Sequence, residues 1–151
     1  MKPSTLVFAV LLLAPAAALP ADSQPVVRTD PVLEQASKTI AAKDWPQAQA
    51  LLKDAIARNP SNADYHNLYA YSIRKGANPD MSQVFQHYNE ALRLDPRHRG
   101  AHEYLGEAYL MVGNLPKAKE HLSALDKLCF FSCSEFSELK KAISEYEAKP
   151  K

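Results

Sequence analysis

The chain has 151 residues, of which 18 are Lys or Arg and 17 are Asp or Glu. That near-balance leaves no basic surface for nucleic acid or an anionic membrane as the main partner. The length suits one domain, and only four Gly beside abundant Ala and Leu, with helical periodicity throughout, point to an all-α fold.

Residues 1–21 read as a secretory signal peptide. Lys2 supplies a positive start, Leu6 to Leu13 form an apolar run too short to span a bilayer, and Ala16 to Ala21 (AAALPA) offer small-residue cleavage sites. Cleavage is expected between Ala18 and Asp22; the rival is an uncleaved anchor. No Cys follows the apolar run, which argues against a bacterial lipoprotein. Losing this segment removes Lys2 and no acidic side chain, leaving 17 charges of each sign. A periplasmic or secreted protein of a Gram-negative bacterium is expected, with no membrane span after cleavage. Residues 22–30, polar and interrupted by Pro25, read as a flexible lead-in, and Ala148 to Lys151 as a frayed tail.

Capping chemistry sets the helix boundaries. Asp30-Pro31 places a carboxylate N-cap before a Pro at the first helical position, predicting a helix to about Ala42. Asp44 caps the next, with Pro46 in its first turn and Leu51, Leu52, Ala55 and Ile56 as the buried stripe. Ser61 or Asn62 starts a third, which Gly76 ends. Asn78-Pro79 opens a fourth carrying Val84, Phe85, Tyr88, Ala91 and Leu92. The fifth begins near Pro96 and stops at Gly113, and the sixth runs from Leu115-Pro116 to about Leu128. Ser132-x-x-Glu135 has the spacing of a capping box for a seventh helix over 134–147. There Phe136, Leu139, Ile143 and Tyr146 share one face, while Glu138, Lys140, Lys141 and Glu145 lie outside it.

A pattern repeats along these helices. Ala101 to Leu125 holds His102-x2-Leu105-Gly106-x2-Tyr109, a break at Gly113-Asn114, then Ala118-x3-Leu122. Upstream, Ala36 and Ala70 match Gly106, and Ala48 and Val84 match Ala118. The intervals are 34 and 36 for the first set and 36 and 34 for the second, which a two-residue insertion at Gly76 to Asp80 explains. AIARNP and ALRLDP close the first two units at Pro60 and Pro96. Small side chains are expected where the two antiparallel helices of a pair come closest. The pattern resembles the tetratricopeptide repeat (TPR), W-x2-L-G-x2-Y…A-x3-F, with His in the Trp slot and Leu in the Phe slot.

By that resemblance the chain is identified as a small secreted bacterial member of the TPR family. The resemblance implies a right-handed superhelical stack of three helix pairs, about 31–60, 61–96 and 97–130, closed by a capping helix over 134–147. It also implies a non-enzymatic interaction module without a cofactor, holding a protein or peptide partner in a concave groove lined by the first helix of each pair. On that surface it places Asn67, Tyr71, Arg74, Lys75, Glu103, Glu107, Leu110 and Met111. Tyr71 and Met111 suit apolar contacts, while Asn67 and Arg74 suit a peptide backbone or carboxylate. Alanine at Arg74 and Lys75 is expected to weaken binding without lowering thermal stability; the competing reading is favourable charge at a helix C-terminus. The Lys/Asn carboxylate clamp of chaperone-binding relatives is incomplete, because the first repeat presents Leu33, Ser37 and Ile40. A segment of another envelope protein is therefore favoured over a free C-terminus. Self-association through the open N-terminal face around Trp45 is the alternative partner.

Cys129 and Cys133 sit between the sixth and seventh helices. In an exported protein the default is a disulfide, and a helix-to-helix turn brings the Cα atoms within reach. It is expected to fix the angle of the capping helix and to stabilise by roughly 2 kcal/mol, with Phe130 and Phe131 seating the turn in the core. The rival reading is a periplasmic copper-handling or thiol-redox protein, with soft thiolates for Cu(I) and His121 as a further ligand. His66 and His102 fill the Trp slot and read as packed. His98 and His102, four apart, could face each other but lack a third ligand, so no metal site is assigned. Tyr104 and His87 give no signal of their own. No Ser-His-Asp motif or Gly-rich phosphate loop is present, so no catalytic residue is assigned.

Overall fold

The computed structural model describes residues 30–131 and 133–149. The signal segment, the lead-in up to residue 29 and Ser132 lie outside the described residues. Seven helices follow in order: α1 Pro31–Ala41, α2 Trp45–Arg58, α3 Ala63–Arg74, α4 Met81–Leu94, α5 Arg99–Met111, α6 Leu115–Leu128 and α7 Ser134–Glu147. None is long and apolar enough to cross a membrane.

Each of the first six starts on a side chain that accepts an otherwise unpaired backbone N–H. Asp30 accepts from Val32 at 2.8 Å, Asp44 from Gln47 at 3.1 Å, Asn62 from Tyr65 at 3.2 Å and Asn114 from Lys117 at 3.2 Å. Two starts differ from expectation. Helix α4 is capped by Asp80 rather than opened by Asn78-Pro79, because the Asp80 carboxylate takes the N–H groups of Ser82 and Gln83 at 3.0 and 3.2 Å. Helix α5 begins at Arg99 rather than near Pro96. A turn held by Asp95, whose carboxylate accepts from Arg97 N–H at 2.9 Å, occupies the intervening residues, and His98 Nδ1 then caps Ala101 N–H at 3.2 Å. At α7 the N-cap is Cys133, which makes no side-chain cap hydrogen bond, and Ser132 of the expected capping box lies outside the described residues.

The turns that precede Trp45-Pro46 and Leu115-Pro116 share one backbone solution. Gly113 lies at φ 76° before Asn114, and Lys43 lies at φ 58° before Asp44. The left-handed turn is free for glycine and strained for lysine.

Packing follows the small-residue pattern. Ala36, Ala70, Ala48, Val84 and Ala118 are all fully buried, and Gly106 is buried with them. One expectation is refined. A Cβ on Gly106 would lie 2.6 Å from Leu139 Cδ2 and 2.8 Å from Leu139 Cδ1, so its tightest neighbour is α7, not the pair partner α6. The core runs as two clusters: one around Leu52, Tyr69, Val84 and Tyr88, the other around Ala118, Leu125, Leu139 and Ile143. Tyr109 packs against both.

The stack is curved. Helices α1, α3, α5 and α7 approach one another in succession, whereas among the described residues no Cα atoms of α2, α4 and α6 come within 8 Å of one another. The side where neighbours approach is the inside of the bend, so the odd-numbered helices form the concave face.

Candidate functional site

The concave face is built around a buried guanidinium. Arg74, near the end of α3, has a side chain only 6% exposed, and its Nη2 lies 2.6 Å from Glu107 Oε2 on α5. Its Nε donates to the Tyr88 hydroxyl on α4 at 3.3 Å. The guanidinium carbon sits 5.5 Å from the Tyr71 ring centroid and 5.7 Å from that of Tyr104, a stacked placement that suits Arg. Arg74 thus ties three helices together. The expectation that alanine there leaves stability intact is corrected by this burial: its removal strands Glu107 and the Tyr88 hydroxyl. Tyr104, which carried no sequence signal, is central here, with its ring 4.7 Å from Tyr71 and 6.4 Å from Tyr88. Burial pushes its phenol up to about 12.

The eight sequence-predicted residues divide by exposure. Asn67, Glu103 and Leu110 are buried along with Arg74. Tyr71 and Glu107 are partly accessible, Lys75 is exposed as the C-cap of α3, and Met111 is 52% exposed. Arg74, Glu107, Leu110 and Met111 meet at a cavity of about 260 Å³ whose other wall is Ala142, Glu145 and Tyr146 of α7 with Lys149 just beyond its end. That wall was missed because α7 was read as a cap. The signal was available in its sequence: Glu138, Ala142, Glu145 and Lys149 recur at helical spacing, as on the first helix of a further repeat. A larger cavity of about 430 Å³ lies elsewhere, lined by Trp45, Gln49, Ile73 and residues of the inserted loop from Gly76 to Asp80.

Glu103 has an unusual setting. Burial, then the carboxylates of Glu107, Glu135 and Glu138, push its carboxyl up to about 7, with Arg74 opposing. Among the described residues it enters no ion pair or hydrogen bond, and the Oδ1 of buried Asn67 is likewise without a donor.

The histidines form two equivalent pairs instead of the expected one. His66 Nδ1 lies 2.8 Å from His87 Nδ1, and His102 Nδ1 lies 3.0 Å from His121 Nδ1. In each pair the first ring reaches back through Nε2 to the proline carbonyl closing the preceding repeat, Pro60 at 2.9 Å and Pro96 at 3.1 Å. A carbonyl only accepts, so that Nε2 carries hydrogen. In the neutral pair the second ring therefore donates from Nδ1. Burial, then the neighbouring imidazole, lowers His87, and the same two causes lower His121 to about 4. His98 does not face His102; it caps α5 and bonds Asp64 at 3.0 Å through Nε2.

Cys129, the C-cap of α6, and Cys133, the N-cap of α7, are joined as a disulfide with Cα atoms 5.7 Å apart. Phe130 and Phe131 are 93% and 82% exposed, correcting the expectation that they enter the core. His121 is taken by His102, and the described residues hold no group of three or more His, Cys, Asp or Glu side chains placed to bind a metal.

A family model described as Tetratricopeptide repeat matches residues 33–79 and 86–128. The TPR repeat-containing thioredoxin TTL4 of Arabidopsis thaliana is 30% identical over 79 residues, covering 52% of this chain and 11% of that protein. The chain therefore spans about a tenth of the length of this curated relative. Among solved structures, the TPR2B domain of yeast Sti1 in its complex with pHsp70 is similar, with a TM-score of 0.67 at 20% identity, over 77% of this chain and 96% of that one. The Yersinia enterocolitica type III secretion chaperone SycD, in complex with a peptide of the translocator YopD, superposes with a TM-score of 0.63 at 14% identity. That match covers 76% of this chain and 86% of that one. At these identities the likeness is one of fold.

Proposed function

The chain belongs to the tetratricopeptide-repeat family, and from that premise we propose that it is a non-catalytic interaction module of the bacterial envelope, holding a segment of another protein on its concave face. The observation that carries this reading is the cavity between α3, α5 and α7, where apolar Met111 and Tyr146 meet Glu107, Glu145 and Lys149. Apolar contact beside a few placed charges is what peptide recognition needs. Two similar structures hold another protein or its peptide, pHsp70 on Sti1 and YopD on SycD. Export is supported by the pattern of residues 1–21 and by the Cys129–Cys133 disulfide, which belongs to an oxidising compartment.

The test is co-purification from the native host with Met111→Glu as the control. Met111 is exposed, so the variant keeps its helical circular dichroism while losing the partner that the unaltered protein retains. A partner retained equally by both refutes the groove. Thiol titration separates the copper or thiol-exchange alternative. Protein purified without reductant shows no titratable thiol on the present reading and two on the alternative.

A further inference from the structure

We infer that the bound segment places a Lys or Arg side chain between Asn67 and Glu103, so that the concave face selects a cationic partner. This deepens the binding-module reading and rests on it. Asn67 and Glu103 are 36 residues apart, the interval that separates Ala70 from Gly106, so they occupy equivalent places on neighbouring first helices α3 and α5. The Asn67 amide abuts α5 one turn before Glu103, with Nδ2 3.4 Å from the place a Cβ on Gly100 would take. Asn67 is 4% exposed and Glu103 9%.

Both are acceptors without donors. Asn67 Oδ1 is fully buried and unpartnered, and the side chain of Glu103, a residue 9% exposed, enters no hydrogen bond or ion pair among the described residues. Leaving the buried Asn67 acceptor unmet costs free energy, and an apolar ligand or an anion would bring a donor to neither side chain. An ammonium or guanidinium supplies several N–H groups and a charge, a chemistry that suits an amide oxygen and a carboxylate together.

The surrounding charges favour the same ligand. Glu103 faces Glu107, Glu135 and Glu138, with Arg74 as the cation among them. Arg74 is already engaged by Glu107. Arg99 stands 3.8 Å from Glu135. Glu138 is exposed and enters no ion pair among the described residues. The raised pKa of Glu103 has a further consequence. A cation arriving beside it would restore the ionised form, so binding near pH 7 releases a proton.

The test uses three fluorescent eleven-residue peptides sharing one apolar frame and differing only in two positions, filled by Lys, Gln or Glu. Anisotropy titrations of the purified protein are expected to give the Lys peptide at least about tenfold tighter binding than the Gln peptide, and the Glu peptide weaker still. Calorimetry in buffers of different ionisation heat is expected to show proton release with the Lys peptide at pH 7. Glu103→Gln, checked for folding by urea titration, is expected to abolish both the preference and the proton release. Spermidine is the comparison for a free amine; competition as strong as the Lys peptide itself overturns the protein-segment source. If the Gln or Glu peptide binds as tightly as the Lys peptide and Met111→Glu still blocks it, the cation inference fails and the binding module survives. If no peptide binds, both fail.

Discussion

Gly106→Ala is the sharpest test of the packing. The added Cβ would lie 2.6 and 2.8 Å from the two Leu139 methyls and 3.3 Å from Leu139 Cγ, all on one side chain that is fully buried. Leu139 is fully buried, so room for the methyl has to come from repacking of its side chain among its neighbours or from a shift of α7 off α5. Overpacking of this kind costs about 1–3 kcal/mol. Replacing a mid-helix Gly by Ala returns about 1 kcal/mol of helix propensity. The net expectation is a destabilisation of about 1–2 kcal/mol, read as a lower urea midpoint with unchanged slope. Leu139→Ala alone should cost about 2–5 kcal/mol through the cavity it leaves. Combined, the new methyl enters the space the leucine vacated, so the double variant should be more stable than the sum of the two by at least about 1 kcal/mol. If Gly106→Ala stabilises the protein, or the two effects add, the close approach of α5 and α7 is wrong.

The histidine pairs make stability depend on acid. The folded pKa of His121 lies at about 4, below its unfolded value of about 6.5, so the unfolded chain binds the proton first and stability is lost as pH falls from about 6.5 to about 4. Discounted for partial exposure, the loss is on the order of 2 kcal/mol. Glu103, raised to about 7, works in the opposite sense, its contribution appearing as pH falls below 7. Urea titrations of the protein and of His121→Gln therefore need comparing at pH 7.5 and 4.5; a difference that stays constant between the two refutes the assignment. Arg74→Ala should cost about 2–3 kcal/mol, because Glu107 and the Tyr88 hydroxyl lose their partner, while exposed Lys75→Ala should stay within about 0.5 kcal/mol. Equal effects in thermal melts would contradict the burial of Arg74. Lys43→Gly should stabilise by about 0.5–1 kcal/mol, since glycine removes the strain at φ 58°. A loss of stability there would show that the lysine side chain does something not seen in its contacts.

What was legible in the chain was periodic or local. Asp30, Asp44, Asn62 and Asn114 announce their helices because a short carboxylate or amide at an N-cap has one evident use. Ala36, Ala70 and Gly106 announce the stack because close packing admits nothing larger. His98 gave no such signal, since histidine caps helices seldom and reaches Ala101 only after the Asp95 turn has formed. Arg74 read as a groove residue because its face of α3 was correct; its partners Tyr88 and Glu107 lie on other helices, which a single-helix pattern does not encode. Phe130 and Phe131 read as core because apolar residues usually are. Their exposure follows from a four-residue disulfide closure, where loop geometry overrides hydropathy. The acidic wall of α7 was visible in its helical spacing, yet became part of a site only once α7 was seen beside α5.

Photo-crosslinking in the native host tests the central claim most directly. A benzoylphenylalanine at position 111 reports on the concave side, and one at position 53 or 86, on exposed outer turns of α2 and α4, reports on the other. The account predicts a discrete crosslinked species from position 111, lost on adding a competing Lys peptide, and none from 53 or 86. Crosslinks from 53 or 86 with nothing at 111 would contradict it.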